Sequence, residues 1–486
     1  MKRFLILFLT VIVISCSKDD ELSIPGTIDP LSSADVTVQD FMWKAMNFWY
    51  FWQADMPDLA DDRFADSETY TAFLESEDDP GAFFDNKLLY IEDRFSFYNS
   101  DYRVLTQSLA GISRSNGLEF GLVRKANSDE VFGYVRYIVA NSDAATKNIK
   151  RGDLFTGVDG QTLTINNYAD LLFGDNDTYV LNMADFANGD VVQNDEEVSL
   201  TKQEALAENP VFISKSFEIN GITIGYLMYN QFTNEYDNDL YDAIAGLKDV
   251  GITELVLDLR YNPGGSVNTT RLLASMIYDT DNSNLFLRKR YNDKVQEQLS
   301  ESQLEVYFTN EVEGNTIDPL RLSKLYVLTT ASSASASELL INSLEPYMDI
   351  VHIGDVTRGK NEFSTTLVDD RENSYLYTPS RVNQINSNNE WAIQPLLGRN
   401  ENADGFSDFT SGLVPDILLK EDYDNLGILG DLNEPLLARA IQEITGTTGK
   451  TDFTVQNPIE IFSSSKRYSP FKDKMIDDTH YNTNLE

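Results

Sequence analysis

Residues 206–425 alternate short apolar runs with helical patterns, and this alternation restricts the fold more than any other feature of the chain. Thr223-Ile224-Gly225-Tyr226-Leu227-Met228-Tyr229 reads as a strand, Leu240 to Leu247 as the helix after it, and Glu254-Leu255-Val256-Leu257-Asp258-Leu259-Arg260 as the next strand. The second run is apolar at nearly every position, the pattern of a strand covered on both faces. Strands alternating with helices predict a mostly parallel sheet with helices packed on it, an α/β fold.

The flanking regions have other periods. Across 35–105, Val38, Phe41, Met42, Ala45, Phe48, Trp49 and Trp52 recur mostly at three- and four-residue spacing. That spacing gives one apolar face and predicts a small helical N-terminal domain. Trp43, Trp49 and Trp52, three of the four tryptophans, fall here and read as core. Residues 106–205 switch to short apolar segments at 119–123 and 133–139, punctuated by turns, which predicts a β-rich region. Residues 426–486 begin helical, with Leu436, Leu437, Ala440, Ile441 and Ile444 on one face, and end as a polar tail.

The chain starts Met1-Lys2-Arg3 and runs mostly apolar over 4–15. That stretch is shorter than the roughly 20 residues a membrane span needs, so 1–15 reads as an export signal. Val13-Ile14-Ser15-Cys16 resembles a lipobox, which implies that Cys16 carries a lipid and that 16–34 is a tether. Ser17-Lys18-Asp19-Asp20-Glu21 resembles the acidic export tag of Bacteroidota lipoproteins. Together they imply a cell-envelope protein, lipid-anchored in the outer membrane on its periplasmic or surface side.

Composition enters as exclusion. With 38 Lys+Arg against 78 Asp+Glu the formal charge is −40, and no basic cluster is present, which argues against nucleic acid as a partner. One cysteine excludes an intrachain disulfide and a cysteine-based metal site, and two histidines, His352 and His480, exclude a three-histidine centre. No metal and no cofactor are expected. Any mechanism that needs a histidine base has few candidates.

Three segments of the α/β block carry chemistry. In Asp258-Leu259-Arg260-Tyr261-Asn262-Pro263-Gly264-Gly265 a buried strand ends in a turn whose glycines let backbone amides approach a ligand and hold an oxyanion. Lys324 to Thr330 is a strand, Ala331-Ser332-Ser333-Ala334-Ser335-Ala336-Ser337-Glu338 follows, and Leu339, Leu340 and Leu344 begin a helical face. A serine at a helix N-terminus is suited to nucleophilic attack, because unpaired amides there favour negative charge. This segment does not choose among its four serines. His352 is embedded in the apolar strand 350–355 and reads as structural, so a buried lysine from Thr357-Arg358-Gly359-Lys360 is the reasonable base.

These strings resemble the C-terminal processing peptidase (tail-specific protease) family, Ser–Lys endopeptidases with a PDZ domain and a crotonase-like α/β core. In that family the nucleophile is the serine two before the Ser-Glu pair and the base lies 25 residues later. The resemblance therefore implies Ser335 and Lys360, with oxyanion amides from Ala336 and from Gly264 or Gly265. Many members have a glutamine four residues after the lysine that orients its amine. Here Ser364 stands at that position and is the candidate for the role. Lys150-Arg151-Gly152-Asp153-Leu154-Phe155-Thr156-Gly157-Val158-Asp159-Gly160 resembles a PDZ signature, which implies an inserted peptide-binding domain whose carboxylate loop is Gly117-Leu118-Glu119-Phe120. The expected partner is a protein or peptide substrate, cleaved near its C-terminus. The missing glutamine keeps a second reading, a peptide-binding surface lipoprotein of the same fold without catalysis. Ser463-Ser464-Ser465-Lys466 fits S-x-x-K but lacks the partner motifs of penicillin-binding enzymes.

Overall fold

The computed structural model describes residues 22, 28–447, 453–468 and 473–479. The signal, Cys16 and His480 lie outside the described residues. No helix among those described is long and apolar enough to cross a membrane.

The predicted parallel sheet is present. Its six strands run in the order Val211–Ile219, Ile222–Tyr229, Glu254–Asp258, Lys324–Thr329, Asp349–Gly354 and Ile417–Leu418. The first pair is an antiparallel hairpin and every later pair is parallel. Helices Asp237–Val250, Val267–Ile277 and Ala336–Leu344 pack on one face, and Pro435–Thr445 on the other. Leu255, Val256 and Leu257 are fully buried, which explains the unbroken apolar run in that strand.

A second six-stranded sheet stands beside it, in the order Gly264–Ser266, Lys474–Ile476, Glu362–Ser364, Leu396–Glu401, Leu285–Tyr291 and Glu305–Tyr307. The β-rich region forms a third sheet, Ile461–Ser464, Leu118–Arg124, Val131–Ile138, Leu154–Val158, Thr178–Ala187 and Asp190–Thr201, with Gln161–Thr162 paired to Leu154–Val158. Its own core contains Leu118, Phe120, Val135, Phe155 and Leu181.

Two expectations change. The residues expected as a polar tail supply a strand to each of two sheets, Ile461–Ser464 and Lys474–Ile476. Short strands are held by backbone hydrogen bonds and need no apolar period, so the pattern hid them. The helix Thr37–Trp49 is buried from Phe41 to Trp49 on all sides rather than along one face. Its polar residues bond inside: Lys44 Nζ reaches Asp29 and Asp40 at 2.8 and 2.9 Å, and the Asn47 amide nitrogen donates to the Leu59 carbonyl at 2.8 Å while its Oδ1 is left without a partner. Trp49, Phe41 and Phe48 join one continuous apolar cluster with the central sheet.

Candidate active site

The loop between strand Lys324–Thr329 and helix Ala336–Leu344 separates its four serines by what each hydroxyl does. Ser332 Oγ accepts from the Arg136 guanidinium at 2.8 Å. Ser333 Oγ donates to the Leu259 carbonyl at 2.8 Å, and Ser337 Oγ to the Asn262 carbonyl at 3.1 Å. These bonds fold the loop onto the turn after strand Glu254–Asp258. Ser335 Oγ is buried and has no hydrogen-bond partner. Ser335 is the N-cap of the helix, with φ 63° and ψ −110°, so its backbone is held in a region that L-residues rarely adopt.

The glycine turn comes close to this serine. Gly264 has φ 109° and Gly265 φ 134°. A methyl group on Gly264 would lie 3.0 Å from Ser335 Oγ and 2.3 Å from the Lys474 carbonyl oxygen, and one on Gly265 would lie 2.0 Å from the Phe232 carbonyl oxygen. Only glycine fits both places. The Asn262 side chain shapes the turn, taking the Gly264 amide on Oδ1 at 2.9 Å and donating to the Tyr229 carbonyl at 2.9 Å. That bond occupies the Gly264 N–H, and Gly265 lies in the parallel ladder with Lys474–Ile476, so both glycines of the turn are engaged in this arrangement. Ala336 follows Ser335 as the first residue of the helix, where N–H groups have no intrahelical acceptor.

Lys360 is fully buried. Its ammonium donates to the Glu362 carbonyl and sits 5.5 Å from the centre of the Phe95 ring. Burial lowers its pKa to about 8, against the opposing pull of the Glu362 and Asp473 carboxylates. Lys360 Nζ is not bonded to Ser335 Oγ in this arrangement. Ser364 does not orient it either. The Ser364 hydroxyl accepts from Gln394 Nε2 at 3.1 Å and lies 3.4 Å from the Met475 carbonyl, which engages it elsewhere.

One carboxylate joins the two candidate catalytic loops. Glu338 Oε2 accepts from the Ser335 and Lys360 backbone N–H groups at 2.7 and 3.0 Å, and Oε1 from the Gly359 N–H at 2.7 Å and the Thr357 hydroxyl at 2.5 Å. Burial pushes Glu338 up to about 7, opposed by these four bonds, which favour the ionised form. No role was expected for Glu338, Asn262 or Gln394. The first had a signal in the S-x-x-E spacing of Ser335 and Glu338, a capping box.

Of the carboxylate loop expected at 117–120, only Gly117 is a turn residue, with φ 79°, because the strand already begins at Leu118. Glu119 is buried, and its carboxylate accepts from Ser465 Oγ at 2.5 Å. His352 is structural as expected, with Nε2 2.5 Å from Thr329 Oγ1 and burial lowering its pKa to about 4.

A buried serine with an open hydroxyl at a helix N-terminus, a glycine turn against it, and a buried lysine of lowered pKa on a coupled loop are the parts of a serine acyl-transfer enzyme. Comparison with known proteins agrees with that class. Residues 223–395 match Peptidase family S41, and residues 37–97 match the Peptidase S41 N-terminal domain. These two segments therefore carry Peptidase S41 family domains. A probable CtpA-like serine protease of Staphylococcus aureus (strain N315) is 28% identical over 177 residues, 35% of this chain and 33% of the relative. The Staphylococcus epidermidis protein of the same name is 29% identical over 153 residues, 32% of this chain and 28% of the relative. The matched stretch thus spans about a third of these relatives' length. A solved structure of a candidate S41 protease from Bacteroides fragilis superimposes with a TM-score of 0.63 at 26% identity, covering 87% of this chain and 100% of that one.

Proposed function

We propose that the chain is a serine endopeptidase acting by a Ser–Lys mechanism on exported or envelope proteins, near their C-termini. One observation carries the reading: of the four loop serines, Ser335 alone keeps an unbonded hydroxyl, and the carboxylate that caps it also holds the loop of the buried Lys360. Neutral Lys360 takes the proton of Ser335 Oγ as that oxygen attacks the scissile carbonyl. The Ala336 amide and an amide of the Gly264-Gly265 turn hold the oxyanion. The protonated lysine returns its proton to the leaving amine, and water then releases the acyl group.

In this reading the two six-stranded sheets form a crotonase-like core. The third sheet with helix Tyr168–Phe173 is an inserted PDZ-like module that binds peptide, and the helices of 35–105 form the N-terminal domain. Cys16 carries a lipid that anchors the protein in the outer membrane.

Ser335→Ala is the direct test. The variant should retain the circular dichroism and melting temperature of the parent, lose hydrolysis of an unfolded protein substrate, and lose labelling by a fluorophosphonate probe. Equal hydrolysis by the variant would discard the mechanism.

A further inference from the structure

Ser335 and Lys360 have 0% exposure. A group so enclosed cannot act on another polypeptide until something moves, and the chain's own C-terminal segment packs between the elements that carry these residues. Strand Lys474–Ile476 lies between Gly264–Ser266 and Glu362–Ser364, parallel to both, so it fills a slot one strand wide between the glycine turn and the lysine strand. Its Lys474 carbonyl sits against Gly264 on the side of Ser335. Around it, Asp473 pairs with Arg358 at 3.1 Å, and Lys474 Nζ donates to the Phe95 carbonyl at 2.6 Å. Asp478 accepts from Ser266 Oγ at 2.6 Å.

The same segment covers the peptide-binding edge of the third sheet. Strand Ile461–Ser464 pairs antiparallel with Leu118–Arg124, as an added peptide would. The Phe462 ring meets Tyr168 of helix Tyr168–Phe173 edge-on at 5.3 Å. Ser465 Oγ accepts from the Phe120 N–H at 3.0 Å, inside the loop expected to hold a peptide's carboxylate, and Lys466 Nζ pairs with Glu208 at 2.9 Å. The S-x-x-K string at 463–466 is therefore a ligand for this edge. Glu119, buried beside it, makes the site complementary to the hydroxyl and ammonium that the segment brings. Residues 461–464, Lys466 and Asp473 line a cavity of about 120 Å³ together with Pro263, Ala331 and Ser332.

We propose that residues 461–466 and 473–478 are a resident occupant of both peptide-accepting edges, and that an incoming extended polypeptide has to displace them to reach Ser335. The proposal rests on the peptidase reading for its cleft half. Its groove half stands on binding alone.

The test locks the occupant in the full chain. Val123 and Ile461 are register partners across the groove, so Val123→Cys with Ile461→Cys allows a crosslink, Cys16 being the chain's one other cysteine. A fluorescent peptide copying 458–468 should bind the reduced protein and bind the oxidised protein at least tenfold more weakly, with hydrolysis of an unfolded substrate following the same order. Equal peptide binding in both forms would overturn the proposal. For the cleft, a chain ending at Glu460 should label with a fluorophosphonate at least tenfold faster than the full chain. A folded truncation that labels no faster overturns that half. If truncation unfolds the protein, Phe462→Ala in the full chain takes its place: peptide binding and labelling should each rise several-fold, and no change in either counts against the occupant. Absence of labelling in every form would defeat the peptidase reading, while the peptide-binding comparison would still decide the groove.

Discussion

Arg260 and Lys360 are both cations with 0% exposure, and their surroundings differ completely. Arg260 is met by carboxylates on three sides: Asp258 at 2.7 Å, Glu434 at 2.6 Å and Glu421 at 3.2 Å. Glu421 also binds Arg151 at 2.8 Å and the Tyr261 hydroxyl at 2.7 Å, which ties the third sheet to the turn of the central one. Burial works against the Arg260 charge, but Asp258 and Glu434 outweigh it and its pKa rises. Lys360 has a backbone carbonyl and an aromatic ring, and its pKa falls to about 8. Burial alone does not mark a reactive group. Burial without a matching countercharge does, because that is what makes loss of a proton easy near neutral pH.

The contrast can be broken at either end. Lys360→Met should lower kcat by on the order of 10²–10⁴-fold, the usual contribution of general base catalysis. It should also stabilise the fold at pH 7. The native lysine, with a folded pKa of about 8 against about 10.4 unfolded, binds fewer protons folded than unfolded between those values. Native stability therefore rises with pH across that window, and the cost of burying the charge is fully present below pH 8. The methionine variant lacks both the cost and the slope, which urea titrations at pH 7 and pH 10 would detect. In the native enzyme kcat/KM should climb through pH 8 as the amine becomes neutral.

Arg260→Met should act in the opposite sense, costing about 3–5 kcal/mol by leaving Asp258 and Glu434 uncompensated. The same urea titration measures it. A variant as stable as the parent would show that the network is not what holds the turn. The smallest effect is expected of Glu338→Gln. An amide cannot accept on both termini, so at least one N–H loses its acceptor, at roughly 1–3 kcal/mol. Because Glu338 acts through Ser335 and Lys360, the loss should appear in kcat with KM little changed. The pH midpoint should move down, since a negative charge near Lys360 is gone. An unchanged midpoint would make Glu338 a packing residue only.

The central sheet was legible because its strands are covered on both faces and advertise that in continuous apolar runs such as 254–257. The glycine turn was legible from residue type, since Gly264 and Gly265 stand where any side chain collides with backbone. The serine was narrowed to one by resemblance in the sequence and by hydrogen-bond accounting in the structure: the four hydroxyls differ in their partners, which no local pattern encodes. Lys360 gave no signal of its own, because the ring packed against its ammonium comes from Phe95, far away in the chain. The strands at 461–464 and 474–476 were missed for the same kind of reason. Ser463, Ser464 and Lys474 are polar, and their order comes from backbone pairing with distant strands.

The backbone of residue 335 bears on which nucleophile the site can use. At φ 63° and ψ −110° a β-branched side chain collides with its own main chain. Threonine carries the same hydroxyl and in solution would serve the same chemistry. Here the conformation rejects it before reactivity is at issue, so the choice between the two alcohols is made by torsion angles and not by nucleophilicity.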